Sequence, residues 1–126
     1  MGLRTAVSVA LATVLVALTL GLTGPAQAGT RYRVTVSPQT ASVHAGRRLT
    51  LQGVVRVGAP GRKVFLEAYA PGGWRVVTSR ALTSTSSYAF HPLFGGSGVV
   101  VLRVVKPAGA GHDRGVSPTV LVTVKG

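Results

Sequence analysis

The 126-residue chain contains no cysteine. That excludes a disulfide scaffold, a thiol nucleophile, a Cys-ligated metal and a lipidated cysteine anchor. Acidic residues are almost as scarce, with only Glu67 and Asp113 present. Two carboxylates leave too little for paired general acid and base work or for a calcium or magnesium cage. Asn and Ile are missing altogether, and no apolar run after the first quarter of the chain approaches membrane-spanning length. What is abundant is positive charge: 14 Lys and Arg give a formal net charge of +12. Arg greatly outnumbers Lys, a bias of the kind a GC-rich coding sequence produces.

The first 28 residues read as an address rather than as structure. Arg4 supplies a positive n-region, and residues 6–22 form an uncharged stretch of Ala, Val, Leu, Ser, Thr and Gly. Gly24-Pro25 breaks any helix, and Ala26-Gln27-Ala28 places small side chains at −3 and −1. A peptidase that reads an extended segment needs small groups in two shallow pockets. The pattern therefore predicts a secretory signal peptide, 1–28, cut after Ala28. The apolar stretch is short for a spanning anchor, which takes about 20 residues. A single n-region Arg does not indicate the twin-arginine route. The expected domain is thus 29–126, released or held to the envelope non-covalently, with membrane contact only through the signal peptide before cleavage.

That segment carries 13 Lys and Arg against the same two acids, a net charge of +11. Its 18 valines dominate the apolar composition. Alternation appears at 31–37, where Tyr32, Val34 and Val36 share a face and Arg31 and Arg33 share the other. A second run, 48–57, keeps Leu49, Leu51, Gly53, Val55 and Val57 in phase. Gly53 in mid-strand predicts a bulge or a close backbone approach. Further runs follow at 63–69, 74–79, 88–94, 99–106 and 119–125, separated by Gly-, Pro- and Ser-rich turns. The run 99–106 is nearly continuous in apolar residues, as in a strand covered on both faces. Residues 107–116 read as loop. No window supports a long amphipathic helix, because β-branched residues and Gly/Pro breaks dominate.

About seven short strands in a domain of this length predict an all-β fold. The expected architecture is two antiparallel sheets packed face to face, with a barrel as the alternative. A domain this small buries about 60–65% of its unfolded surface, and its stability has to come from packing alone.

Several pieces in order resemble the immunoglobulin-like, fibronectin-type β-sandwich modules of secreted actinobacterial proteins. They are V-T-V-S-P (34–38), V-H-A-G-R-R-L-T-L-Q-G-V-V (43–55), G-R-K-V-F-L-E (61–67) and G-G-W-R-V-V (72–77). S-Y-A-F (87–90), R-V-V-K-P-A (103–108) and S-P-T-V-L-V-T-V (117–124) complete the set. The resemblance spans nearly all of 29–126 and implies an immunoglobulin-like sandwich. The chain departs from it at Ser86-Ser87, where such modules often carry an acid and a Gly, and at Leu102, where a Tyr is common.

Candidate chemistry is sparse. A hydrolytic triad would need Glu67 or Asp113 to orient His44, His91 or His112 near a Ser. Gly95-Gly96-Ser97-Gly98 does not match a nucleophile elbow. A metal would need His44, His91, His112 and Asp113 to converge, and no zinc or calcium spacing is present. The reading is of a non-enzyme without cofactors. Trp74, beside a hairpin, reads as a cover for one end of the interior, with sugar stacking as the alternative.

The basic surface carries the functional content. Arg31 and Arg33 project from one outer face, and Arg47, Arg48, Arg62 and Lys63 flank turns. A +11 body attracts polyanions, and the fork of Arg suits phosphate. No aromatic interleaving or recognition motif supports specific nucleic-acid binding. The expected function is a secreted, non-catalytic binding or structural module at the cell envelope, adhering to anionic wall polymers. Another secreted protein is the alternative partner.

Overall fold

A computed structural model describes residues 30–126, so the signal peptide expected at 1–28 lies outside the described residues. Tyr32–Gly126 forms one compact unit. Nine strands occur in it, β1 (Arg33–Val34), β2 (Thr40–His44), β3 (Leu51–Arg56), β4 (Lys63–Ala70), β5 (Gly73–Ala81), β6 (Ser87–Phe90), β7 (Gly98–Lys106), β8 (Gly115–Val116) and β9 (Val120–Lys125). They build a three-stranded sheet in the order β1-β3-β6 and a six-stranded sheet in the order β2-β9-β7-β4-β5, with β8 beside β7. The class is all-β and the fold β-sandwich-like. Pairing is antiparallel except between β2 and β9, which run parallel.

The period-2 rows place the core. Val64 and Leu66 of β4, Leu102 and Val104 of β7, and Val120, Val122 and Val124 of β9 face inward from the larger sheet. Leu51, Val55, Tyr88 and Phe90 answer them from the smaller one. Fully burying each such side chain contributes about 1.5–3 kcal/mol, so these inward rows of valine, leucine and aromatic residues supply the driving force.

The first run of alternation, 31–37, contains only the short strand β1. β1 pairs with β3, and after a cis Ser37–Pro38 peptide the chain enters the other sheet as β2. Sequence patterning missed β2, because Ala41 and Val43 are small and only half-buried. It also missed β8, which is two residues long within a Gly-rich stretch. The cover expected on both faces of 99–106 holds at its end, where Val104, Val105 and Lys106 are all buried, and fails at its start, where Val99 is 68% exposed. Val57 likewise leaves its phase and lies in solvent.

Gly53 is a close approach rather than a bulge. A Cβ there would lie 2.1 Å from the Thr35 carbonyl oxygen and 2.7 Å from the Tyr88 hydroxyl. That hydroxyl donates to the same Thr35 oxygen. Tyr88 sits opposite Gly53 in register, so its ring crosses a space that only glycine leaves open. Gly115 has the same relation to Tyr32, whose carbonyl oxygen would be 2.3 Å from an added Cβ.

Candidate anion-binding surface

Loops gather at the two ends of the sandwich. The β2–β3 and β6–β7 connections meet at one end, joined by Gly46 N–H to Phe94 O at 2.9 Å and Leu49 N–H to Pro92 O at 3.1 Å. The β3–β4 and β5–β6 connections meet at the other, joined by Leu82 N–H to Arg62 O at 2.7 Å and Ala59 N–H to Ser86 Oγ at 2.8 Å. This arrangement distributes the six sequence-identified cations. Arg47 and Arg48 belong to the first end, while Arg62 and Lys63 belong to the second. Arg33 stands exposed on β1, directly opposite Arg56 of β3. Arg31 is exposed and precedes the compact unit. The six therefore do not form one patch.

The structure does bring one of them together with a residue far away in sequence. Arg48 and Arg80 line an open groove of about 380 Å³, bounded by Val77, Thr78 and Ser79 of β5 and by the segment after β6, Phe90 to Leu93. Arg48 donates from Nη1 to the His91 carbonyl at 2.8 Å, which fixes its guanidinium at the rim. The His91 ring lies with Nδ1 3.2 Å from Thr50 Oγ1. No carboxylate lines the groove. Two arginines in a concavity lined by no carboxylate are suited to a phosphate or similar oxyanion.

Charge balance favours the same chemistry. Glu67 is taken by Arg103, whose Nε donates to its Oε1 at 2.8 Å. With 13 cations and two acids in the described segment, at least eleven cations have no side-chain carboxylate to neutralise them. The Arg33–Arg56 pair is a like-charge cross-strand pair, an arrangement that costs stability in isolation.

Lys106 is the charged residue that sequence reasoning passed over. It continues the inward row of Leu102 and Val104 and is 4% exposed. Its Nζ donates to the Pro107 carbonyl at 2.7 Å and lies 4.1 Å from the centre of the Tyr32 ring. Burial, and then repulsion from Arg62, hold it below the ordinary lysine value of 10.5. Burial raises Tyr88 above its ordinary 10.0.

The two shifts act on stability in opposite directions. Between the lowered pKa of folded Lys106 and 10.5, the unfolded chain holds more protons, so this residue makes stability rise with pH. Above pH 10, unfolded Tyr88 ionises while the folded one stays protonated, so stability falls by up to about 1.4 kcal/mol per pH unit. Urea unfolding from pH 7 to 11 should show Lys106→Met more stable than the native chain at pH 7, with the excess shrinking toward pH 10.5. Tyr88→Phe should lose the decline above pH 10.

The histidines do not converge. His44 and His91 belong to the Arg48 end, whereas His112 lies in the β7–β8 connection, stacked at 4.9 Å on Tyr32. Among the described residues no three His, Asp or Glu side chains gather as a metal site would require. Trp74 departs from expectation as well. It is outside the buried core and sits on the outer face of the larger sheet, against Tyr69 and Arg103.

Compared with known proteins, the chain matches no family model and shows no significant similarity to any curated sequence.

Proposed function

We propose that this chain is a secreted, non-catalytic, immunoglobulin-like module that adheres to anionic polymers of the cell envelope through arginine–phosphate contacts. The immunoglobulin-like reading draws support from strand order. β1-β3-β6 occupies the places of strands A, B and E, and β9-β7-β4 those of G, F and C. Secretion rests on the signal-peptide pattern of residues 1–28.

The observation that carries the adhesion reading is the Arg48–Arg80 groove, set in a domain with 13 cations against two acids. Phosphate polymers outside the cell present repeating charges at a spacing that several such cations engage together. Each neutralised phosphate releases a counterion, so binding has to weaken as salt rises. Retention on purified cell wall and on poly(glycerol phosphate) should fall at least about tenfold between roughly 50 and 200 mM NaCl. Retention indifferent to salt would overturn the reading and favour a secreted protein as the partner.

A further inference from the structure

The outer face of the larger sheet differs from the rest of the surface. Tyr69, Val76, Val99 and Leu121 stand there 58%, 58%, 68% and 49% exposed. Register puts Tyr69 opposite Trp74 and Glu67 opposite both Val76 and Arg103, so these side chains share that face. Tyr69 and Trp74 meet edge to face, with ring centres 5.4 Å apart. The Arg103 guanidinium lies 4.2 Å from the centre of the Trp74 ring and is held by Glu67 at 2.8 Å.

We propose that Tyr69, Trp74 and the Glu67–Arg103 pair form a platform for a neutral, β-linked pyranose oligosaccharide. Equatorially substituted pyranose rings present flat patches of axial C–H bonds on their faces and hydroxyls around their edges. The C–H patches carry slight positive charge and rest favourably on the negative face of an aromatic ring, as other electropositive groups do. The ion pair uses one guanidinium N–H and one carboxylate oxygen. The other N–H groups and Oε2 supply the donors and acceptor that ring hydroxyls need.

Electrostatics selects among occupants. Glu67 cancels the charge of Arg103, so the patch around Trp74 offers a polyanion little, in contrast to the Arg48–Arg80 groove. A second copy of the chain would bring its own large positive charge against the first. A lipid chain would leave the ion pair desolvated and without new partners. An uncharged polyol satisfies both the aromatic and the polar groups. The platform is on a different surface from the groove and does not depend on the phosphate reading.

Trp74 is the only tryptophan, so its emission reads this site directly. Titration with chitohexaose and with cellohexaose in about 0.5 M NaCl suppresses phosphate-type binding and leaves stacking intact. At least one oligosaccharide should give a saturable change with a Kd on the order of 1 mM. Tyr69→Ala, at a well-exposed position, should weaken it about tenfold or more while the thermal unfolding curve keeps its midpoint. Arg48→Gln/Arg80→Gln should leave it unchanged. Absence of a saturable change with both sugars would overturn the proposal, as would a titration indifferent to Tyr69→Ala. Light scattering that shows a dimer, dissolved by Tyr69→Ala, would assign the face to a second copy instead.

Discussion

Gly53→Ala should lower the unfolding free energy by about 3 kcal/mol or more, a loss at the upper end of what a single methyl group produces. The new carbon would be 2.1 Å from the Thr35 carbonyl oxygen, and that oxygen belongs to backbone. A flexible side chain swings away from an intruder at small cost. Backbone moves only by giving up its neighbours, and here these are the bonds of Thr35 and Ser37 N–H to Val54 and Gln52 carbonyls, at 3.0 and 2.8 Å. The Tyr88 hydroxyl, 2.7 Å from the same carbon, would be displaced from Thr35 as well. Adding Tyr88→Phe should not rescue the variant, because the clash with Thr35 remains. Gly95→Ala is the control, since nothing lies within 4 Å of its added Cβ. Its unfolding free energy from urea titration should stay within about 0.5 kcal/mol of the native protein.

The special status of Gly53 was legible in the sequence, because glycine in an otherwise β-branched strand lacks a local reason. Which group approaches it was not legible, since Thr35 is brought there by the sheet pairing of β1 and β3. The same division runs through the fold. Val64 and Leu66, and Val120, Val122 and Val124, announce their strands because alternation alone sets their faces. The run 99–106 misled because valine fills both phases, which hides that Val99 faces solvent. Lys106 was hidden differently: lysine reads as surface, although the phase of Leu102 and Val104 points it inward. Trp74 beside its hairpin carries no mark of which face it takes. That depends on β5 lying at the edge of the larger sheet, with Val77 as an extra residue against β4.

Arg48→Gln/Arg80→Gln should weaken binding to poly(glycerol phosphate) about tenfold or more in roughly 0.1 M salt, and flatten the salt dependence. If each arginine neutralises one phosphate, the slope of log K against log salt should drop by about 1.4, at about 0.7 per contact on a flexible single-stranded polyanion. Neither residue foretells the other in the sequence. They line one groove because β5 and the segment after β6 wall it. The informative comparison is Arg62→Gln/Lys63→Gln, which removes the same charge at residues that do not line the groove, with Lys63 one register step from Arg80. A general cationic field would make the two pairs equivalent, since each lowers the net charge by two. A groove that holds phosphate between two guanidinium forks makes them unequal, because the forks add directed hydrogen bonds to the field. The pair outside the groove is therefore expected to cost only about twofold to threefold, with most of that in the association rate, where long-range steering acts. The groove pair should act mainly on dissociation, where short-range contacts act. Equal losses from the two pairs, measured by surface retention at matched salt, would remove the groove as the seat of adhesion and leave only the net charge.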